Sequence, residues 1–262
     1  MQDLISNVHK TQEYFLWALS QEVLELNGVT AFASDMKSPN LNFALQKGKI
    51  KGNADLCVDA IERFFERFQL PWSWIINPAE DQTLLKQYLE KKGFSMVSNY
   101  PVMAYKFDSP FPEQNLKDVL VKELVPAQLS EWIHPLKEAF QATNEDALHY
   151  QEAHQRALEK KANFRHFAAY AEGEPVSAAT LSLSSYGARL DDLGTKPSFQ
   201  RKGFARAVTL HAMKVAHELG YPWICLEASD EGIPLYTKIG FKELYRNEVY
   251  GKKVIDGGKE SK

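Results

Sequence analysis

The chain has 262 residues, 44% of them apolar and 25% charged, and its 31 Lys and Arg face 34 Asp and Glu for a formal charge of −3. This is ordinary globular usage, which excludes disorder and fibrous repeats and allows one large domain or two of moderate size. No general polycationic surface exists to hold a nucleic-acid backbone, and no apolar run is long enough to span a bilayer, so neither nucleic acid nor membrane is expected as a partner.

The first residues, Met1 to Ser6, lack the basic stretch and uninterrupted apolar core of a secretory signal, so a cytoplasmic protein is expected. Cys57 and Cys225 each lie inside an apolar run and read as buried thiols rather than a disulfide. Apolar residues at helical spacing fill 8–26 (Phe15, Leu16, Leu19, Val23, Leu26), with Asn27-Gly28 as the stop. Strand-like runs at 29–33 and 41–45 follow. A Lys/Gly loop then leads to a helix capped by Asp55, whose stripe is Val58, Ile61, Phe64, Phe65 and Phe68. Residues 72–76 read as a buried strand, Asp81 opens a helix closed by Gly93, and a strand at 102–107 is expected to complete the first half. The aromatic residues Trp72, Trp74, Phe64, Phe65 and Phe68 fit core packing better than base stacking.

Pro110 and Pro112 stiffen an extended connector, and the domain boundary is placed there, giving 1–110 and 114–257. The second half opens with helices at about 126–140 and 144–161. Strands at 164–171, 175–184 and 188–195 then form an antiparallel meander. A turn, a helix closed by Gly220, a buried strand at 223–226, a short helix ending at Gly240 and a strand at 241–249 complete it. The tail at 256–262 is expected to fray.

The chemistry is concentrated in the turn after Thr195. A helix beginning near Gly203 offers unpaired amides and the positive end of its dipole, glycine lets an anion approach the backbone, and Arg201, Lys202 and Arg206 add charge. That combination fits the diphosphate of a nucleotide-type cofactor. Neither the three-glycine Rossmann fingerprint nor the phosphate loop occurs. No Cys/His cluster has metal spacing, so no metal is expected, and the seven histidines read as surface or packing residues.

Gln200-x-x-Gly203-x-Ala205 follows a strand ending Asp192-Leu193-Gly194-Thr195-x-Pro197, and Glu227-Ala228-Ser229 and Leu235-Tyr236-x-x-x-Gly240-Phe241 come after it. In this order the motifs resemble the GNAT superfamily of acyl-CoA-dependent N-acyltransferases, over roughly residues 114–256. The resemblance implies an α+β fold with a mixed, mostly antiparallel sheet flanked by helices. It implies acetyl-CoA, or another acyl-CoA, as co-substrate and an amine on a small molecule or a protein as acceptor. Its diphosphate would lie on the amides of Arg201, Lys202, Gly203, Phe204, Ala205 and Arg206, beside Gln200. Pantetheine would enter between the strands at 188–195 and 223–228, bonding backbone groups of Leu193, Gly194 and Thr195 as an added strand does.

By the same resemblance Tyr236 is the acid for the departing thiolate, and the Leu193 N–H donates to the acyl carbonyl. Ser229 and Asp230 match a position often held by a CoA-touching Asn, which is a departure from the pattern. The general base is open among Asp191, Asp192 and Glu227, each of which reads more readily as structural or solvated. Strand alternation puts Asp191 and Asp192 on opposite faces. A catalytically inactive CoA sensor or scaffold of the same fold is the alternative.

Leu89-x-x-x-Gly93-Phe94 echoes Tyr236-x-x-x-Gly240-Phe241, and the order of elements around it repeats, so two tandem GNAT-like domains are expected. The first reads as degenerate, because Leu89 replaces the phenol and 49–54 only loosely imitates the cofactor turn. Its expected role is to shape the acceptor pocket.

Overall fold

The computed structural model describes residues 2–26, 28–50, 53–76, 82–108, 111 and 119–252. Asn27, Lys51, Gly52, Asp81, Pro110, Pro112 and the tail at 256–262, singled out above, lie outside them. In chain order the first elements are α1 (Gln2–Leu19), β1 (Glu22–Leu26), β2 (Val29–Ala33), β3 (Phe43–Gln46), α2 (Ala54–Glu66), β4 (Ser73–Ile76), α3 (Thr83–Lys91) and β5 (Phe94–Lys106). They are followed by β6 (Leu120–Leu124), α4 (Leu129–Ala139), α5 (Asn144–Glu159), β7 (Phe164–Ala171), β8 (Glu174–Ser184) and β9 (Gly187–Thr195). The last are α6 (Phe204–Glu218), β10 (Trp223–Glu227), α7 (Ile233–Ile239) and β11 (Lys242–Lys252).

The first helix is shorter than its apolar stripe suggests. It stops at Leu19, where the Ser20 hydroxyl donates to the Trp17 carbonyl at 2.9 Å, and the Gln21 N–H already reaches the Ala33 carbonyl at 2.8 Å. The segment Glu-Val-Leu-Glu-Leu suits a period of two as well as 3.6, and tertiary pairing decides for β1. The register runs from Glu22↔Ala33 to Leu26↔Val29, so the connection has two residues, with Gly28 at φ 92°. Asn27-Gly28 is therefore the signal of a hairpin, not of a helix end. Helix α2 is capped by Asn53, whose side chain accepts from the Asp55 N–H at 2.9 Å, and Asp55 falls inside the first turn.

Two compact units divide the chain, one of residues 1–20 and 101–245, the other of residues 21–100 and 246–262. This interleaved division departs from the expected linear one at 110–114. In the second unit the strand order is β1-β2-β3-β4-β11, antiparallel except for β3 beside β4. Its helices α2 and α3 cover Val29, Ala31, Ala44, Trp74 and Ile76 with Val58, Ile61, Phe65 and Leu89. In the first unit the order is β5-β10-β9-β8-β7-β6, antiparallel except for β9 beside β10. Each unit thus has a meander, a helix and a parallel strand, as the repeat implies.

The closing strands, however, are exchanged. Residues 102–106 of β5 pair with β10 from Trp223↔Lys106 to Glu227↔Val102, while Glu248–Gly251 of β11 pair with β4. The strand expected to finish the first half finishes the other ladder. An antiparallel edge accepts any strand of matching sense and pattern, so order along the chain does not fix the partner.

In the first unit α6 and α7 pack on Phe167, Ala179, Leu181, Leu190, Ile224 and Leu226. The opposite sheet face meets α1 through Val8 against Val102, Ala104, Trp223 and Cys225, and α4 through Trp132 and Leu136 against Ala168 and Ala178. Both cysteines are buried and free. Among the described residues no helix is long and apolar enough to cross a membrane.

Candidate active site

Strands β9 and β10 pair only at Ala188↔Ile224 and Arg189↔Cys225. Beyond Arg189, β9 keeps β8 on one side, from Thr180↔Asp191 to Ser177↔Thr195, but among the described residues has no ladder partner on the other. The parallel pair therefore opens toward its C-terminal ends. An unpaired strand edge offers alternating N–H and C=O groups, which suits an extended amide-bearing ligand.

The ladder also shifts register here. Thr180 faces Asp191 and Ala178 faces Gly194, so Ala179 alone spans Asp192 and Leu193. This is a β-bulge, with Asp192 in the left-handed region at φ 56°. The bulge overturns the expectation that Asp191 and Asp192 point to opposite faces. Asp191 lies 3.4 Å from the Ser182 hydroxyl and Asp192 beside that of Thr180, and those two residues share one face of β8. The extra residue cancels the alternation, so both carboxylates turn toward the α1, α4 and α5 side.

Asp191 belongs to a buried ionic cluster. Arg189 Nε donates to Asp191 Oδ1 at 2.8 Å and its Nη2 to Glu227 Oε2 at 3.2 Å, while Gln12 of α1 donates to Glu227 Oε1 at 2.9 Å. Burial pushes the Asp191 carboxyl up to about 7; Arg189 opposes this, and the charges of Asp192 and Glu227 add to it. Burial likewise pushes Asp192 up to about 6. Asp192 Oδ1 accepts from the Tyr150 hydroxyl at 2.6 Å, and its Oδ2 lies 3.5 Å from His154 Nε2. His154 Nδ1 is in turn 2.9 Å from His166 Nε2.

Tyr236 projects from α7 and is buried, in a T-shaped contact with Phe241 at 5.7 Å between ring centroids. Burial and then the charge of Asp191 raise its phenol, so it stays protonated at neutral pH. A neutral phenol can deliver a proton to a leaving group.

The turn after β9 is short and tightly anchored. Thr195 is anchored by its hydroxyl, 2.8 Å from that of Ser177, and its carbonyl accepts from Gln200 Nε2 at 3.4 Å. A single 3₁₀ turn, Pro197–Phe199, leads to Arg201 at φ 62° and Gly203 at φ 91°, and Gly203 is the N-cap of α6. The first intrahelical bond runs from the Ala207 N–H to the Gly203 carbonyl at 2.9 Å. The amides of Phe204 and Ala205 precede that bond, at the positive end of the helix dipole. Arg201 and Lys202 are exposed, with the Lys202 ammonium 4.9 Å from the Phe199 ring centroid. These residues fit a diphosphate by donor set and by charge.

Leu193, Gly194 and Thr195 therefore line the open edge of β9, and residues 200–206 follow directly. Ser229 is spent locally: its carbonyl and hydroxyl accept from the Gly232 N–H at 2.9 and 3.2 Å, which shapes the entry to α7. Asp230 is exposed beside it. Among the described residues no group of three or more His, Cys, Asp or Glu could hold a metal ion.

Reasoning from sequence missed Arg189, Gln12, Tyr150, His154 and His166. The last two, taken for surface or packing residues, are 0% and 2% exposed and touch the bulge network. The four-residue spacing of Tyr150 and His154 on α5 was the available signal, since it puts both on one helix face.

The open parallel pair, the bulge and the glycine-capped helix define the GNAT fold, in which helices flank a mixed α+β sheet. Residues 127–255 match the acetyltransferase (GNAT) domain family. Among solved structures the fold is similar to that of a GCN5-related N-acetyltransferase from Kribbella flavida, at 19% identity and TM-score 0.72 over 95% of each chain. It is also similar to a GCN5-related N-acetyltransferase from Sphaerobacter thermophilus, at 16% identity and TM-score 0.60 over 85% of this chain and 76% of that one. A tandem GNAT protein from the clavulanic acid biosynthesis pathway aligns at 10% identity and TM-score 0.60 over 85% of this chain and 77% of that one. These likenesses extend the fold assignment to the whole chain as a tandem GNAT architecture. No curated protein sequence matches this chain.

Proposed function

We propose that the protein is an N-acyltransferase that moves an acetyl group from acetyl-CoA to an amine by direct attack on the thioester. The observation that carries this reading is the parting of β9 from β10 after Arg189 and Cys225, with the protonated Tyr236 close enough to Asp191 to feel its charge. When bound, acetyl-CoA supplies an activated carbonyl and a thiol leaving group.

The chain's own groups then have distinct tasks. The amides of Phe204, Ala205 and Arg206, with the side chains of Arg201 and Lys202, hold the diphosphate; Gly203 keeps the approach clear, and Gln200 fixes the turn through Thr195. The open edge of β9 at Leu193, Gly194 and Thr195 aligns the pantetheine arm. The Leu193 N–H donates to the carbonyl oxygen as charge develops there, and Tyr236 gives its proton to sulfur. Ser229 and Asp230 flank the arm at the end of β10. Asp191 is engaged by Arg189, Asp192 by Tyr150, and Glu227 by Gln12 and Arg189, so all three carboxylates have structural partners and none is singled out as the base that takes the amine's proton.

In the other unit Leu89, fully buried in the core, occupies the place of Tyr236 in the repeated motif, which supports a copy without transfer chemistry of its own. The two unpaired thiols support a reducing, cytoplasmic setting. The test is titration calorimetry of the full chain with CoA, followed by free-thiol release from acetyl-CoA with polyamines, amino acids and peptide N-termini as acceptors. Binding with release for at least one amine class is expected. Binding without release from any acceptor would favour a CoA sensor or scaffold, and absence of binding would sink both.

A further inference from the structure

Resting on the assignment of the Leu193 N–H to the acyl carbonyl, we infer that Tyr150, His154 and His166 are positioning residues that act through Asp192 to aim that N–H. Asp192 stands in the left-handed region at φ 56°, a conformation less favourable for a residue with a Cβ than for glycine. A buried network holds its side chain. Tyr150 and His154, one turn apart on α5, both reach the Asp192 carboxylate, and His166 of β7 backs His154. Trp132 roofs them, with its ring centroid 4.3 Å from His154 and 4.9 Å from His166.

Tyr150 donates to Asp192, His154 lies against its other oxygen at 3.5 Å, and His166 reaches it only through His154. Burial keeps both imidazoles neutral and the Tyr150 phenol protonated. His154 Nε2 faces Asp192 Oδ2 at 3.5 Å without a hydrogen bond, while its Nδ1 shares one with His166 Nε2. None of these groups faces the open strand edge directly. Tyr150 and His154 meet β9 at the bulge residue that immediately precedes Leu193, and His166 backs His154.

The other side of Leu193 is clamped independently. A Cβ on Gly194 would stand 2.8 Å from Leu136 and 3.0 Å from Ala139, so α4 lies directly against the backbone there. Leu193 is thus bracketed by an α5 strap on Asp192 and an α4 abutment on Gly194, while its own side chain packs toward the α6 and α7 core. A hydrogen-bond donor fixed in this way is already oriented before charge develops, which is what makes such a donor effective.

The experiment uses the full chain and acetyl-CoA carrying a ¹³C-labelled carbonyl, and reads the infrared stretch of the bound thioester. In the wild type the stretch should move to lower frequency than in buffer. In Tyr150→Phe, which removes one oxygen, and in Asp192→Gly, which keeps the backbone conformation accessible, it should return at least about halfway to the free value, with CoA affinity unchanged within about twofold. Asp192→Asn still accepts from Tyr150 and should restore most of the shift. A wild-type stretch in both folded variants would overturn the inference, as would loss of the fold in both, which would make the network purely structural. If the wild type itself binds acetyl-CoA with its carbonyl at the free frequency, the Leu193 assignment fails first and takes the inference with it.

Discussion

Tyr236 shows how far a single residue can be read in advance. It was legible because its motif is local: one short helix, a glycine stop and a phenylalanine that its ring meets edge-on. Replacing it with Phe removes the donor and preserves the contact with Phe241. In Tyr236→Phe, kcat should fall on the order of a hundredfold while the KM for acetyl-CoA holds, because the proton is needed only as sulfur departs. Unchanged kcat under chemistry-limited conditions would remove its acid role. Arg189, Tyr150, His154 and His166 were not legible in the same way, since their partners come from other elements and no spacing announces a meeting across a sheet. Their burial has a thermodynamic signature. His166 is pushed down to about 3 by burial, so the unfolded chain takes up a proton that the fold refuses, and this contribution to stability is lost as pH falls from about 6.5. Asp192, pushed up to about 6, acts oppositely, with stability declining as pH rises from about 4. His166→Gln deletes the first effect and leaves the second. Its melting temperature should therefore drop less than that of the wild type between pH 6.5 and 4.5, and parallel melting profiles would show that His166 is not buried neutral.

At the scale of elements, periodicity located nearly every helix and strand but not their irregularities. The β9 bulge inserts one residue into a ladder whose partner sequence gives no sign of it, and this turned the expected opposition of Asp191 and Asp192 into a shared face. The stripe at 8–26 failed for a different reason: five residues compatible with both periods went to the sheet because β2 was there to receive them. The start of α6 was legible because glycine before a helix and clustered basic residues have a local physical meaning. That meaning can be tested directly. Gly203 sits at φ 91° at the start of α6, so the pair Arg201→Ala and Gly203→Asp removes one cation and sets a carboxylate beside the first turn of the helix. CoA affinity should fall by at least about tenfold, the equivalent of about 1.4 kcal/mol. Titration calorimetry giving the wild-type dissociation constant for a folded double variant would remove the diphosphate from this turn.

For the molecule as a whole, the duplicated order of elements was legible and the exchange of closing strands was not. Antiparallel pairing leaves no local mark of which edge a strand will choose, so a repeat found by motif suggests two consecutive domains. The consequence concerns what can stand alone. A fragment of residues 114–262 contains the complete GNAT motif set, yet it lacks α1 and the strand at 102–106. Strand β10 would lose its pairing from Trp223↔Lys106 to Glu227↔Val102, keeping only its two ladder positions with β9. Val8, Val102 and Ala104 would no longer cover Trp223 and Cys225, and Glu227 would lose Gln12. Each buried valine is worth about 1.5–3 kcal/mol and a whole domain only about 5–15, so these losses together approach the stability of the unit. The fragment should therefore show no cooperative melt by circular dichroism and no calorimetric binding of CoA, while the full chain shows both. A sharp melt with CoA affinity in the isolated fragment would mean that α1 and the strand at 102–106 are dispensable to the fold that holds the site.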